Sequence, residues 1–218
     1  MTPSLRTENL TIRFGGHAAV NDVTAAFRPG ELTVIVGPNG AGKTTWFNLV
    51  SGQLTPTSGR IFKGETEITR LSPSARAKAG VGRAFQLTNL FPKLSVRENV
   101  RLVVQARAGK GPDVFRRASA LAAVNAETDE HLASSRLSSV ADLPASALPH
   151  GDQRKLEVAM MIAMKPDIFM FDEPTAGMSA AEAPAILDLI AEIKKDASKT
   201  ILLVEHKMDV VRELADRI

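Results

Sequence analysis

One segment of the sequence has the residue types and spacing of a phosphate-binding loop. It consists of Gly37, Pro38, Asn39, Gly40, Ala41, Gly42, Lys43 and Thr44. This order fits the pattern G-x-x-x-x-G-K-[ST], in which the backbone N–H groups of a glycine-rich turn point at a phosphate. Lys43 would supply a mobile positive charge for the outer phosphates, and the Thr44 hydroxyl would ligate Mg²⁺. The segment therefore predicts a nucleoside triphosphate site, although it does not identify the class of protein.

Two acidic residues, Asp172 and Glu173, follow the apolar run Ile168–Phe171. In open α/β sheets the ligand crevice lies at the carboxyl ends of the parallel strands. We therefore expect Asp172 to hold Mg²⁺, directly or through a water, and Glu173 to polarise a water for attack on the γ-phosphate. The alternative is a solvated acidic loop, which is the common environment of an Asp-Glu pair.

Hydrophobic periodicity predicts the elements that must position these residues. Alternation at Leu10, Ile12 and Phe14 predicts a half-buried antiparallel strand. Short apolar runs predict strands buried on both faces over Leu32–Val36, Ile168–Phe171 and Ile201–Val204. The other predicted elements are a strand over 59–62, helices over Lys43–Val50, Asp152–Met164 and Ala180–Lys195, and a helical insertion from about Ser95 to Ser139 that includes a helix starting at Pro112. Strands that alternate with helices favour parallel βαβ units.

The composition of the chain argues against several classes of protein. The chain has 218 residues, with 27 Lys plus Arg against 24 Asp plus Glu, and a net charge of +3 gives no reason to expect a nucleic-acid surface. It contains no cysteine, which excludes disulfides and thiolate metal sites. Residues 1–8 have no apolar signal core, and no stretch approaches the ~20 apolar residues of a membrane span. If the protein serves a membrane, we expect it to do so by docking to a partner.

Several further segments occur in the order of an ABC-type ATPase domain. After the phosphate-loop motif come Gly82–Gln86, Leu148–Gln153, Asp172–Thr175 and His206. The chain resembles that family over nearly its whole length. Within the family it resembles the ATPase subunits of high-affinity branched-chain amino-acid importers. The segments that carry this closer resemblance are Arg13–Gly16, Leu90–Val100, Gly151–Arg154, Ala176–Met178 and Val204–Met208.

The resemblance implies the fold class and the domain organisation. The fold would be α/β, with a P-loop NTPase core on a mostly parallel sheet, an N-terminal antiparallel β subdomain and an inserted α-helical subdomain. Residues 1–218 would form a single ABC ATPase domain, with 1–86 and 165–218 in the core and β subdomain and 87–164 in the helical subdomain. The resemblance also implies further strands and a helical tail after Ile218.

The resemblance assigns roles to residues outside the two motifs. Phe14 would stack on the adenine, with the alternative that it is the last core residue of its strand. Gln86 would contact Mg²⁺ or the attacking water, and His206 would contact the γ-phosphate and position Glu173. The alternatives are an ordinary polar loop residue for Gln86 and a surface histidine for His206. The implied catalytic residues are Glu173, His206 and Gln86, the implied metal ligands are Thr44, Gln86 and Asp172, and Thr45 joins the loop residues as a nucleotide contact.

The segment Leu148–Gln153 resembles the family signature, which is usually Leu-Ser-Gly-Gly-Gln. Through Leu148, Gly151 and Gln153 it would bind the γ-phosphate of ATP held by a second subunit, and Gly151 would allow close backbone approach. The helix that follows would direct its positive end at the phosphate. Pro149 departs from the pattern because proline has neither the hydroxyl of serine nor an N–H. One expected phosphate contact is therefore missing.

The resemblance also implies cofactors, partners and location. The cofactors are ATP and Mg²⁺. The partners are a second ATPase subunit, either identical or a close paralogue, integral-membrane permease subunits and, indirectly, a periplasmic solute-binding protein, with no nucleic acid among them. The location is the cytoplasmic face of the inner (plasma) membrane, as a peripheral subunit. Ser179 and its neighbours from Ala176 would meet the opposing subunit, although helix N-capping by Ser179 explains them equally well.

Other functions remain open at this point. A small-molecule P-loop kinase shares the segment Gly37–Thr44 but does not account for Leu148–Gln153 or His206. A soluble ABC protein of DNA repair carries a long coiled coil, and one of translation carries two tandem ATPase domains, whereas this sequence indicates one ATPase domain with a modest helical insertion. The transported solute stays open between branched-chain amino acids, other amino acids, amides and urea.

Overall fold

The computed structural model describes residues 4–84, 90–109 and 118–218. The described residues divide into two compact units. The first unit contains residues 4–84, 166–174 and 191–218, and the second contains 90–109, 118–165 and 175–190. The predicted metal ligand Gln86 and the predicted helix start at Pro112 lie outside the described residues.

Strands and helices are distributed along the part of the chain that the structure describes. In chain order the strands are β1 (Leu5–Phe14), β2 (His17–Phe27), β3 (Leu32–Ile35), β4 (Ser58–Lys63), β5 (Thr66–Glu67), β6 (Val81–Ala84), β7 (Ile168–Asp172) and β8 (Thr200–Val204). The helices are α1 (Lys43–Ser51), α2 (Pro73–Lys78), α3 (Val96–Arg107), α4 (Ala118–Ser134), α5 (His150–Ala163), α6 (Ala183–Lys194) and α7 (Met208–Leu214). None of these helices is long and apolar enough to cross a membrane. The predicted α/β class is confirmed.

A parallel sheet in the first unit carries the strands that precede the predicted site residues. Its strand order is β3-β8-β7-β6, and every neighbouring pair is parallel. All residues of β7 and β8 are buried, as their continuous apolar runs predict. Strand β3 ends at Ile35, one residue before the predicted end, and Val36 is exposed. Because the strands are parallel, the segments that follow β3, β7 and β8 all begin at the same edge of the sheet.

An antiparallel sheet forms the other layer of strands in the first unit. Its order is β2-β1-β4-β5, and Leu10 and Ile12 of β1 are buried in the core, as their alternation predicts. Phe14 is 53% exposed, because the pairing of β1 with β2 changes register between Ile12 and Arg13. The alternative that Phe14 is the last core residue of its strand is therefore wrong.

The second unit packs α3, α4 and α5 around their own apolar core, in which Val100, Leu132 and Leu156 are fully buried. Helix α3 begins after Ser95, whose hydroxyl accepts the N–H of Glu98 at 3.1 Å. Helix α5 begins at His150, two residues earlier than predicted. The difference arises because the helix starts directly after Pro149, whose carbonyl accepts the N–H of Gln153 at 3.0 Å.

A buried arginine supports the C-terminal end of α1, the helix that begins at the phosphate loop. Arg76 is fully buried and donates to the carbonyl oxygens of Leu49 and Val50 at 2.5 and 2.7 Å. It also donates to the carbonyl oxygens of Thr69 and Leu71, at 2.6 and 3.0 Å. Burial lowers the pKa of Arg76 to about 10, so the guanidinium stays charged at neutral pH. The carbonyl groups at the C-terminal end of α1, which have no partner within the helix, thereby accept hydrogen bonds from Arg76.

Candidate functional site

The glycine-rich loop between β3 and α1 has the backbone conformation that its sequence predicts. Gly42 lies at the N-cap of α1 with φ 85°, a left-handed conformation that favours glycine. A Cβ placed on Gly42 would lie 2.2 Å from the carbonyl oxygen of Ala19, in β2. The loop therefore depends on glycine at this position for two independent reasons, backbone conformation and space.

The lysine of the loop motif, Lys43, folds its side chain back over the backbone of the loop. The Lys43 ammonium donates to the carbonyl oxygens of Gly37 and Pro38 at 2.7 and 2.9 Å, so it lies over the loop itself. Residues 38–41 are exposed, and Thr45 is half-buried in the first turn of α1. The loop is thus accessible and has a positive charge folded onto it, as a phosphate-binding loop requires.

Asp172 links the end of β7 to the start of α1 and to the neighbouring strand β6. Thr44 Oγ1 donates to Asp172 Oδ1 at 3.4 Å, and Arg83 Nη2 donates to Asp172 Oδ2 at 3.0 Å. The side chains of Arg83 and Asp172 are 5% and 0% exposed. Burial, with a smaller contribution from Glu173, raises the pKa of Asp172, whereas Arg83 and Thr44 oppose the rise. Burial likewise lowers the pKa of Arg83, and the attraction of Asp172 opposes this shift, so each partner favours the charged form of the other.

The oxygen atoms of Thr44 and Asp172 fit a Mg²⁺ site. Magnesium prefers hard oxygen ligands and is bound by one or two protein groups together with water and substrate phosphates. The hydroxyl of Thr44 and Oδ1 of Asp172 lie beside each other next to the phosphate loop, which is the donor set that this chemistry requires. Both were predicted from the sequence.

Glu173 and His206 form a pair at the same edge of the parallel sheet. Glu173 has φ 50°, a strained conformation for a residue with a side chain, and its N–H donates to the carbonyl oxygen of Val204 at 3.0 Å. Glu173 Oε1 lies 2.9 Å from His206 Nε2. Backbone strain of this kind is concentrated at functional sites, and here the strained residue carries the carboxylate that contacts His206. The structure thus brings together the two residues that the resemblance pairs.

The segment Leu148–Gln153 is located in the second unit, at the start of α5. Leu148 is buried, and its carbonyl oxygen accepts a hydrogen bond from Gln153 Nε2 at 3.0 Å. Pro149 occupies the N-cap of α5 and makes no side-chain cap. A Cβ placed on Gly151 would lie 2.6 Å from Glu182 Oε1, so the carboxylate of Glu182 lies close to the first turn of α5.

Glu182 is a charged residue at this segment that the sequence analysis missed. Its Oε2 accepts hydrogen bonds from the N–H and the hydroxyl of Ser179, at 3.0 and 2.7 Å. These bonds, with a smaller electrostatic contribution from His150 and Lys155, lower the pKa of Glu182. The spacing Ser179-x-x-Glu182 is that of a capping box, which is the signal that identifies it in the sequence. Because this turn precedes α6, the helix begins at Ala183 and not at the predicted Ala180.

Comparisons with known proteins agree with this geometry. Residues 20–176 match the family described as ABC transporter. The high-affinity branched-chain amino acid transport ATP-binding protein LivG of Salmonella typhimurium is 39% identical over 223 residues, which cover 99% of this chain and 87% of LivG.

Solved structures extend the likeness to the fold. A nucleotide-free ATP-binding cassette from an ABC transporter superposes with a TM-score of 0.82 at 26% identity, covering 99% of this chain and 86% of that one. A dimeric ATP-binding cassette in a post-hydrolysis state, bound to ADP and Pi, superposes with a TM-score of 0.79 at 25% identity, covering 95% and 90%. The chain therefore belongs to the ABC transporter family, and its fold is that of an ATP-binding cassette.

Proposed function

We propose that this protein binds and hydrolyses Mg-ATP as the ATPase subunit of an importer for branched-chain amino acids. One observation carries the proposal. The glycine-rich loop, the Thr44–Asp172 contact and the Glu173–His206 pair all lie in the first unit, on segments that follow strands of one parallel sheet. The solute is taken from the relatives, since LivG is a branched-chain amino acid transport protein.

Each of these residues has a defined part in phosphoryl transfer. The backbone N–H groups of the loop and the Lys43 ammonium hold the phosphates, and Phe14 offers an exposed aromatic face for the adenine. Thr44 and Asp172 would hold Mg²⁺, which neutralises charge on the phosphate oxygens when bound. Glu173 orients and polarises the attacking water as general base, and His206 holds the Glu173 carboxylate in place.

We propose that a second subunit completes the site. The segment Leu148–Gln153 lies in a different unit from the phosphate loop, and it would bind the γ-phosphate of ATP held by the partner. The likeness to a dimeric cassette bound to ADP and Pi supports this arrangement. The first turn of α5 is suited to an incoming phosphate because it presents the positive end of a helix.

An apolar surface on the second unit supports docking to a permease. Phe91, Leu94 and Leu143 are 51%, 37% and 46% exposed, although large apolar side chains are usually buried. The buried side chain of Asn99 holds this loop by accepting the N–H of Phe91 at 2.8 Å and donating to the carbonyl oxygen of Ser95 at 2.9 Å. A fixed apolar surface of this kind is expected where a membrane subunit docks, and it would place the protein at the cytoplasmic face of the membrane.

Replacement of Glu173 by glutamine tests the catalytic assignment. We expect Glu173→Gln to bind ATP, to lower kcat by roughly 100-fold or more, and to accumulate as an ATP-bound dimer in sedimentation. Glu192→Gln is the matched control, because Glu192 is an exposed carboxylate of the first unit that pairs with Lys195. Near-normal turnover of Glu173→Gln would remove Glu173 from this role. ATP hydrolysis by an isolated monomer at the rate of the assembled complex would contradict the two-subunit site.

Reconstitution with the cognate permease subunits and binding protein tests the solute. We expect leucine-loaded binding protein to stimulate ATP hydrolysis in proteoliposomes, and Glu173→Gln to abolish that stimulation. Stimulation by urea or an amide, with none by leucine, would support the alternative solute and contradict our assignment.

A further inference from the structure

Arg83, on strand β6, is a buried cation whose position depends on three polar groups. Its Nη1 donates to Asn48 Oδ1 at 2.5 Å and to Ser51 Oγ at 3.1 Å, both on α1. Its Nη2 donates to Asp172 Oδ2 at 3.0 Å. The guanidinium also lies 5.5 Å from the ring centroid of Phe47. The planar fork of arginine makes these contacts simultaneously, which a lysine ammonium cannot do in the same geometry.

These contacts divide the two oxygens of Asp172 between different partners. Oδ2 accepts from Arg83, whereas Oδ1 is left beside the hydroxyl of Thr44. The terminal torsion of an aspartate is broad, so the apolar packing of β7 alone would not fix which oxygen faces the phosphate loop. Arg83 supplies that orientation, because turning the carboxylate away would break the bond to a guanidinium that is itself anchored to α1.

Arg83 can affect a metal ion beside Asp172 in two opposite ways, through its positive charge and through the orientation that it gives to the Asp172 carboxylate. Because the two effects change Mg²⁺ affinity in opposite directions, an experiment can separate them. A buried positive charge repels a divalent cation, so electrostatics alone predicts that loss of Arg83 tightens Mg²⁺ binding. Orientation of the ligand predicts the reverse, since groups that orient metal ligands commonly contribute a factor of about 10 to 100 in metal affinity. The full burial of the pair and the three anchoring hydrogen bonds favour orientation as the larger effect.

We propose that Arg83 is a positioning residue that holds Asp172 with Oδ1 toward Thr44 and thereby sets the Mg²⁺ concentration required for tight nucleotide binding. The inference rests on the proposed function, because it assumes that Thr44 and Asp172 hold the metal of Mg-ATP. It adds a residue of β6 to the site, and through Asn48 and Ser51 it couples the metal ligand to the body of α1.

The test measures binding of a fluorescent ADP analogue in EDTA and across a Mg²⁺ titration. We expect Arg83→Met and Arg83→Lys to leave affinity in EDTA within about two-fold of wild type and to raise the Mg²⁺ midpoint about ten-fold or more. Asn48→Ala, which removes one anchor of Arg83, should raise the midpoint by a smaller factor. If Arg83→Met does not fold, Arg83→Lys and Asn48→Ala decide the question by the same criterion.

A double-mutant cycle separates orientation from general packing. In an Asp172→Asn background, Arg83→Met should produce no further change in the Mg²⁺ midpoint. An unchanged or lowered midpoint in Arg83→Met, or a parallel loss of affinity in EDTA, would overturn the inference. Failure of the wild-type protein to bind ADP under any condition would instead overturn the proposed function.

Discussion

Gly42 and Gly151 both lie at the beginning of a helix where a phosphate contact is predicted, but their surroundings differ. Gly42 has a left-handed backbone, and an added Cβ would meet the carbonyl oxygen of Ala19 in β2 at 2.2 Å. At Gly151 an added Cβ would meet the carboxylate of Glu182 at 2.6 Å. A backbone carbonyl within a sheet cannot move aside, whereas the end of a glutamate side chain can.

The polar groups of the two regions show the same contrast. Around the phosphate loop, Asp172 and Arg83 are buried and hydrogen-bonded to groups of the same unit. At the start of α5, Pro149 provides no side-chain cap, and Glu182 occupies the neighbouring space through hydrogen bonds to Ser179. The first region is therefore preorganised by packing, and the second is held by contacts that an incoming phosphate could replace.

The largest expected effect is the difference in stability between the Gly42→Ala and Gly151→Ala variants. Gly42→Ala should lower the free energy of unfolding by about 2 to 5 kcal/mol, because a left-handed alanine and a backbone clash add their costs. Gly151→Ala should stay within about 1 kcal/mol of wild type, because alanine favours a helix and Glu182 can rotate away. Urea unfolding of both variants measures the difference. Equal losses of stability would show that the two regions are equally rigid.

Much of the parallel sheet could be predicted from sequence because its strands are continuous apolar runs. Strands β3, β7 and β8 are such runs, and the residues after them were identified by motif. Strand β6 was missed, since Val81–Ala84 contains a glycine and an arginine and has no strand periodicity. Its place in the sheet depends on pairing with β7, from Val81 opposite Ile168 to Ala84 opposite Phe171.

Dependence on contacts between residues that are distant in sequence also explains which site residues the sequence did not reveal. Phosphate-loop residues, Asp172 and Glu173 are recognisable because one short segment contains the whole pattern. Arg83 acts on residues that are distant in sequence, on α1 and β7, and no local pattern reports that contact. Glu182 was recognisable by its capping-box spacing from Ser179, but its proximity to Gly151 depends on the packing of the second unit.

Replacement of Pro149 by serine restores the serine of the usual family signature, Leu-Ser-Gly-Gly-Gln, at the start of α5. Pro149 has φ −56° and ψ 154°, close to the values of Ser72 and Ser95, which both cap helices with their hydroxyls. A serine at 149 can therefore adopt the existing backbone and offer a hydroxyl to the phosphate. We expect Pro149→Ser, in the Glu173→Gln background, to tighten ATP-dependent dimerisation roughly ten-fold in sedimentation.

Pro149→Ala is the matched control, because it frees the backbone without adding a hydroxyl. Equal dimerisation of the serine and alanine variants would assign the gain to the backbone. An unchanged or weaker dimer in Pro149→Ser would contradict the idea that the missing hydroxyl limits closure.

Removal of the charge on Glu182 should have the smallest effect. Glutamine can keep the capping hydrogen bonds to Ser179 while it removes a negative charge beside the first turn of α5, where a phosphate is expected. We expect Glu182→Gln, again in the Glu173→Gln background, to tighten ATP-dependent dimerisation roughly two- to five-fold at low salt. The gain should shrink as ionic strength rises, because the repulsion is screened. Asp188→Asn removes a charge from helix α6, which directly follows Glu182, and should leave dimerisation unchanged because Asp188 pairs with exposed Arg136. If the two variants gave equal gains, or if the gain of Glu182→Gln did not depend on salt, then proximity of Glu182 to the phosphate position would not be the cause, and the first turn of α5 would have to be regarded as preorganised like the phosphate loop.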